Sequence, residues 1–408
     1  MVKKKKSSFR LLFLIASAPC LCFSQLSNHG LLSVSSGTSL SLVSLLENNK
    51  GAMLVNDGDF SLYDDFKNEG TLGFTSGVSS GIVRFEGIKP GSQLISGNGV
   101  SDFYNLVFNT EKSGFELSSN LKIYGKAYFQ KGIVDAKGGV LYFEDNAVAE
   151  NVDDISYVNG PVVKRGSSAF TFPIGDGGKF RPVSITAPSS LDASLSGRYF
   201  LSTPDINYPV ANMETSLNLI DNVEYWVVQK ENALSGNFFV SLTWDESITP
   251  SLLLSDFENL HVAGWDEEKK LWVDLGGVVD FSKKEVTAVS NFKSDYGVFT
   301  LARSVSSSQQ IIALHPGISP NGDGLNDELM IEGLSSYPDN KVTVFDRFGK
   351  IVFETKSYNS KGNVFKGFTD QDSSKLLPLG TYFYTVDYLD TLTGRRVKKS
   401  NYLYINLR

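Results

Sequence analysis

The residues of this chain that could do chemistry are few and far apart. Its three histidines, His29, His261 and His315, do not fall at the spacing of metal ligands, and no H-E-x-x-H occurs. A Ser-His-Asp site needs a histidine oriented by a buried acid. Only His261 lies within a strand pattern, where a structural histidine with a satisfied ring nitrogen is the expectation. Gly77-Val-Ser79-Ser-Gly81 matches G-x-S-x-G, but a nucleophile elbow needs a strand before the serine and a helix after it. Here Ile82-Val-Arg-Phe85 reads as a strand, so the motif is expected to be a polar turn. Glu144-Asp145 and Asp153-Asp154 are paired acids. Retaining glycosidases need carboxyls about 5–5.5 Å apart across a groove. Neighbours on a strand point to opposite faces, so each pair alone is read as surface. Asn321, Asp323, Asn326 and Asp327 could offer oxygens to Ca²⁺, but Leu325 breaks the alternation that an EF-type loop requires. A hydrogen-bonded Asx turn is the expectation there, and no cofactor is predicted. Aromatic stacking on sugars by Trp265, Trp272 or the face of the N-terminal region is the remaining candidate, although strand alternation places most aromatic rings in cores.

The two cysteines, Cys20 and Cys22, lie in an N-terminal stretch with the pattern of a secretory signal. Lys3 to Lys6 and Arg10 form its positive region, and Leu11 to Phe23 is apolar but short for a membrane span. Cleavage is expected between Ser24 and Gln25. Pro19 and Leu21 precede the cysteines where a lipidation signal wants a small residue, which argues against a lipoprotein. A mature chain from Gln25 would have no cysteine, hence no disulfide, thiolate metal site or cysteine nucleophile. No other stretch approaches the ~20 apolar residues of a membrane helix, so the mature chain is not read as an integral membrane protein. A net charge of −7 argues against nucleic acid as a partner, because phosphate neutralisation needs clustered Lys and Arg.

The elements that must position any site are strands. Residues 25–165 hold short strand patterns, among them Ala52-Met-Leu-Val55, Phe60-Ser-Leu-Tyr63, Asn105-Leu-Val-Phe108 and Leu121-Lys-Ile-Tyr124, separated by turns such as Asn56-Asp-Gly58 and Asn68-Glu-Gly70. No 3.6-residue period is visible. A right-handed parallel β-solenoid is favoured, with a β-sandwich as the alternative. Residues 166–303 contain all four tryptophans and read as a β-sandwich. Phe238, Val240, Leu242 and Trp244 share one strand face, and Trp265 and Trp272 flank the charged turn of a hairpin. Residues 304–315 read as a polar linker. Residues 316–408 alternate in a further set of strands, with Tyr382, Tyr384, Val386 and Tyr388 on one face and Leu403, Ile405 and Leu407 on another. The whole is expected to be all-β and to end in a small immunoglobulin-like antiparallel sandwich.

This last segment contains four ordered blocks: Ser319-Pro-Asn-Gly-Asp-Gly-Leu-Asn-Asp327, Val342-Thr-Val-Phe-Asp-Arg-Phe-Gly349, Leu377-Pro-Leu-Gly-Thr-Tyr-Phe-Tyr384 and a final strand ending at Arg408. Together they closely resemble the gliding motility-associated C-terminal domain of Bacteroidetes, the type B sorting domain of the type IX secretion system. Asn401-Tyr402 departs from the resemblance, standing where a glycine often precedes the last strand. The resemblance implies an address read by the type IX translocon and its outer-membrane shuttle protein. Its residues here would be Pro320, Asn321, Gly322, Asp323, Gly324, Asn326, Asp327, Gly349, Gly380, Tyr382 and Arg408. The basic run Arg395-Arg-Val-Lys-Lys399 is either a docking surface for that machinery or a solvated edge that discourages strand pairing. The expectation is a non-enzymatic protein, secreted or held at the extracellular face of the outer membrane after Sec export. Its role would be an adhesin or surface scaffold linked to gliding motility, with other surface proteins or glycans as partners. The alternative is a β-solenoid polysaccharide-degrading enzyme or a carbohydrate-binding protein.

Overall fold

A computed structural model describes residues 25–233, 235–290, 297–305, 312–359, 362–370 and 372–407. The expected leader at 1–24, part of the expected linker and Arg408 lie outside them. The chain is all-β. Its N-terminal part is a solenoid of about seven turns. In the second turn Leu45–Asn48, Met53–Asn56 and Asp59–Leu62 lie on three successive sheets, and every rung stacks in parallel on the next. The register sets Leu46 on Phe66, Leu54 on Leu72 and Phe60 on Val83. All six side chains are buried, because period-two alternation turns them into the tube. Farther along, Phe85, Phe108 and Phe129 continue this interior as a ladder of rings 5.9 and 5.4 Å apart. Outward positions carry inter-rung ion pairs instead, such as Lys67–Glu47 at 2.7 Å and Arg84–Asp59 at 2.8 Å. Exposed pairs contribute only ~0–1 kcal/mol each, so the apolar interior dominates. The corners are tight: a Cβ at Gly70 would stand 2.4 Å from the Ala52 carbonyl oxygen.

The seventh rung does not close. Its strand Val162–Arg165 pairs antiparallel with Ser194–Phe200, and the solenoid sheet runs on through Tyr225–Lys230, Val298–Ser304, Leu260–Asp266 and Leu271–Asp274. A second sheet of Phe170–Thr171, Val183–Ile185, Val240–Thr243, Glu285–Thr287 and Val278–Asp280 faces it. One apolar cluster extends without a break from Val34 in the first rung to Leu301 in the sandwich. Phe238, Val240, Leu242 and Trp244 enter this core as alternation predicts. The intervening Phe239 is buried as well, because the outer face of that sheet is covered.

The cover is the C-terminal module. Its main sheet has the order Gly317–Ile318, Arg395–Ile405, Gly380–Asp390, Asn340–Phe345, Ile351–Lys356. One face buries Tyr382, Tyr384, Val386 and Tyr388 with Val342, Val344, Leu403 and Ile405 against Leu329, Ile331, Leu334 and Phe365. Leu407 does not join Leu403 and Ile405. The last strand ends at Ile405, and Leu407 is exposed. The opposite face presents Phe345 and Phe383, whose rings lie 5.9 and 5.0 Å from Phe239. No helix among the described residues is long and apolar enough to cross a membrane.

Candidate functional site

The loop from Ser319 to Asp327 folds on its own side chains. Gly322 and Gly324 adopt positive φ, at 82° and 86°, and so does Asn326 at 55°. These angles aim backbone N–H groups inward. The Gly322 and Gly324 amides donate to Oδ1 and Oδ2 of Asp327, both at 2.8 Å, and the Leu325 amide donates to Asp323 Oδ1 at 2.7 Å. The Asp323 amide donates to Asn321 Oδ1 at 3.0 Å. The bonds from Gly322 and Gly324 hold the Asp327 carboxyl below its ordinary pKa. The loop is a nest of Asx turns with its tip, residues 321–326, exposed to solvent. Pro320 packs at Gly367, where a Cβ would come within 3.0 Å of its ring. The loop's oxygens are largely engaged by backbone amides, and among the described residues no three His, Cys, Asp or Glu side chains form a metal cluster.

The other blocks lie elsewhere in the module. Gly349 ends the turn after Asn340–Phe345 with φ 76°, and Gly380 opens the aromatic strand with φ 143°. Tyr382 is buried and donates its hydroxyl to the Pro378 carbonyl at 2.8 Å. These residues do not converge with the Asx loop on one pocket; they shape a fold whose exposed feature is the loop. The basic run is neither a free patch nor a merely solvated edge. Arg396 pairs with Asp387 at 2.5 Å and Asp339 at 3.2 Å. Lys398 Nζ donates to the Asp274 carbonyl, and Lys399 Nζ donates to Asn259 Oδ1 at 3.3 Å. Both lysines therefore tie the module to the central sandwich.

The sequence candidates for catalysis are dispersed. His261 Nδ1 lies 2.8 Å from Asp274 Oδ1, so the acid–histidine half of a triad exists. Both are fully enclosed, and His261 Nε2 is buried with no partner. Burial alone would raise the Asp274 pKa, but coupling to His261 and Lys398 and the Gly276 amide bring it to about 2. Ser79 sits in an exposed loop followed by the strand Ile82–Phe85, so the elbow geometry is missing. His29 contacts Ser27 at 3.1 Å, and His315 lies 3.4 Å from Glu332. Asp153 accepts the Ile155 amide and Asp154 the Phe180 amide, both at 2.9 Å. Trp265 and Trp272 face each other across their hairpin, ring centroids 5.6 Å apart, and both are buried. Neither ring is open to a sugar, which corrects that expectation.

An open groove of about 570 Å³ lies at the junction of solenoid and sandwich, lined in part by Tyr142, Glu144, Asp145, Arg165, Asp192 and Glu231. Glu144 is paired with Arg165 at 3.0 Å. Asp145 accepts the amides of Ser167 and Ser168 at 3.1 and 3.2 Å. Burial would raise its pKa, yet bonds from Ser168 and the nearby Lys164 hold it low, which suits a structural anchor rather than a general acid. Lys164 has its pKa pulled down to about 8 by burial, the property of a base, but it is enclosed and donates to the Glu144 carbonyl at 2.6 Å.

Sequence reasoning missed two networks. Asn28 donates to Asn48 and Asn48 to Asn68, each at 2.8 Å, as a ladder inside the first three rungs. Its twenty-residue recurrence was visible in the sequence. The second is buried in the sandwich. Arg181 grips Glu224 through two bonds of 2.9 and 2.7 Å, and Tyr199 and Thr249 each donate to the same carboxylate at 2.8 Å. No local pattern marks that network.

The fold thus ends in a compact β module with an exposed Asx-turn signature, held against the protein that precedes it. Residues 312–405 match the family described as CHU_C Type IX secretion signal domain. The module is therefore the chain's type IX secretion signal, and it implies export by that system to the cell surface or the extracellular space. It says nothing about catalysis. No curated protein and no solved structure matches the chain.

Proposed function

We propose that this is a non-enzymatic surface or secreted protein, delivered by a Sec leader at residues 1–24 and then by the type IX translocon. Its role is that of an adhesin or surface scaffold linked to gliding motility. The observation that carries the reading is the pairing of a β-solenoid with an export module whose signature loop is solvent-exposed. The absence of catalysis is supported by the enclosure of His261, Asp274 and Lys164 and by the structural bonds that occupy Glu144, Asp145, Asp153 and Asp154. The Asx loop is proposed to need no Ca²⁺, since backbone amides take up its carboxylates.

The test fuses residues 306–408 to a passive reporter carrying a Sec leader. The module has its own apolar core, so it should fold in the fusion. In a host with a type IX system the reporter should appear outside the cell, and loss of residues 316–408 should leave it periplasmic. A reporter that stays periplasmic while the full-length protein is exported would refute the module as a sufficient address. Mass spectrometry of the exported protein should find Gln25 at or near the N-terminus with no acyl chain.

A second reading, glycan binding without catalysis, is favoured by one feature. Phe74, Tyr104 and Tyr124 form a partly exposed aromatic strip along a solenoid corner, with ring centroids 5.5 and 5.3 Å apart. Such rings can stack on sugar faces. Binding on a glycan array that Tyr124→Ala abolishes would favour this reading; an array without signal would sink it.

A further inference from the structure

We propose that the open first turn of the solenoid is a self-association surface, and that the mature protein forms a closed head-to-head dimer through it. Among the described residues, the strands Gln25–Asn28, Leu31–Val34 and Ser39–Leu42 each pair on one side only. Their outer edges form a three-sided rim of unpaired backbone donors and acceptors. Within that rim the solenoid core is open. Leu26 stands in register with Leu46 and Phe66, both fully buried, yet Leu26 is 36% exposed. Leu32, Leu40 and Leu42 likewise continue the inward columns of Leu54, Phe60 and Leu62, and they too are only partly covered. These four leucines point the way core residues point, but nothing among the described residues lies above them.

Natural sheet edges are normally guarded by lysine, proline or inward charge. This edge is not. Residues 25–46 contain no Asp, Glu, Lys, Arg or Pro, in a chain where one residue in five is charged. The next rungs regain charge at once, at Glu47, Asp57, Asp59 and Lys67.

Two features select a second copy as the occupant. An uncharged apolar face ringed by β edges complements itself, as an isologous contact requires, and the matching three-sided outline is the same turn of another molecule. The opposite end of the solenoid is already taken, since Val162–Arg165 pairs with the sandwich and Phe143 packs on Phe170 at 5.0 Å. Head-to-tail stacking into a filament is thereby blocked, and association stops at two.

Sedimentation of the mature protein across a wide range of concentration tests this. The expected result is a doubling of mass, with Leu26→Lys and Leu40→Lys reverting to monomer. Ile206→Lys, at a site 84% exposed in the sandwich, should remain dimeric. Should the lysine variants fail to fold, hydrogen exchange of the wild type gives an independent reading: amides of the first three strands should slow as concentration rises. A wild type that stays monomeric throughout overturns the proposal, including the case in which a different protein caps the turn. So does a dimer that survives both lysine variants in folded form.

Discussion

The asparagine ladder makes a graded prediction, because its three members differ in what each would strand. Asn68 is buried, and its amide donates to the Val100 carbonyl at 2.7 Å and to Ser101 Oγ at 2.8 Å. It also accepts from Asn48 at 2.8 Å and from the Gly70 amide at 3.1 Å. Gly70 keeps a second bond to the Asn48 carbonyl. Asn68→Leu, close in size, therefore leaves chiefly the Ser101 hydroxyl and the Val100 carbonyl short of a partner. At about 1–3 kcal/mol per stranded buried group, and allowing for non-additivity, the loss should be about 2–4 kcal/mol. Asn48→Leu removes the donor to the Thr71 carbonyl, bonded at 3.2 Å, but Asn28 keeps its bond to the Met53 carbonyl and Asn68 its bond from Gly70. The loss there should be about 1–2 kcal/mol. In the monomer, at dilute protein concentration, Asn28 lies half-buried on the outermost rung, where water replaces what is lost, and its replacement should cost about 0–1 kcal/mol.

Urea unfolding monitored by circular dichroism gives the three losses. Hydrogen exchange localises them, since each rung depends mainly on its neighbours and damage should appear in the first four turns. The order Asn68, Asn48, Asn28 is the result that hydrogen bonding requires. Equal losses at all three positions would show that the ladder acts through side-chain volume, and a largest loss at Asn28 would refute the reasoning outright.

Arg181→Met leaves Glu224 enclosed without its cation and should cost about 3–5 kcal/mol by denaturant titration, whereas adding Glu224→Leu should recover much of that loss. Gly349→Val forces a β-branched residue to positive φ, at about 1–3 kcal/mol. The nearest atoms to its Cβ, at 3.5–3.6 Å, are in ordinary contact, so Gly349→Asn should be far milder, and export of the reporter fusion should follow the same order. Asp221 is buried with one carboxylate oxygen unpartnered, and burial together with the charge of Glu224 raises its pKa to about 7. The unfolded chain releases that proton near pH 3.9, so the folded state binds more protons between those values. The contribution of Asp221 to stability is then greatest below about pH 4 and falls as pH rises to 7; Asp221→Asn should remove that component of the pH dependence of the melting temperature.

The solenoid was legible because alternation and glycine corners are local signals. Its exact repeat was not. First-sheet strands begin at Gln25, Leu45, Phe66, Gln93, Phe115, Val134 and Val158, so insertions such as the loop around Ser79 blur the period after the third rung. Only Asn28, Asn48 and Asn68 keep the even spacing. The shared sheet could not be foreseen, since pairing of Val162–Arg165 with Ser194–Phe200 depends on distant contacts that leave no pattern in either segment. The contact between sandwich and module did leave a trace. Phe239, Phe345 and Phe383 are aromatic residues out of phase with their own cores, and a strand that is apolar on both faces must be covered twice. The Asx loop was readable from its glycines, whereas the use of its carboxylates on its own amides is a property of the folded backbone.

That double covering explains how an address can be docked and still be displayed. The main sheet of the module has two faces. One holds Phe345, Phe383 and Lys398 against Phe239 and the Asp274 carbonyl of the sandwich. The other is roofed by Leu329, Ile331, Leu334 and Phe365, and the Asx loop leads from the edge strand Gly317–Ile318 into that roof. The loop therefore belongs to the layer away from the preceding protein, and its exposed tip follows from that layering. The docking contact is small in apolar content, Phe345 and Phe383 against Phe239, Val278 and Val289 of the sandwich, while the roofed core buries eighteen apolar side chains among the described residues. The module's stability must then come chiefly from its internal core. Cutting the contact at Phe239 should leave both folding and the display of the loop intact.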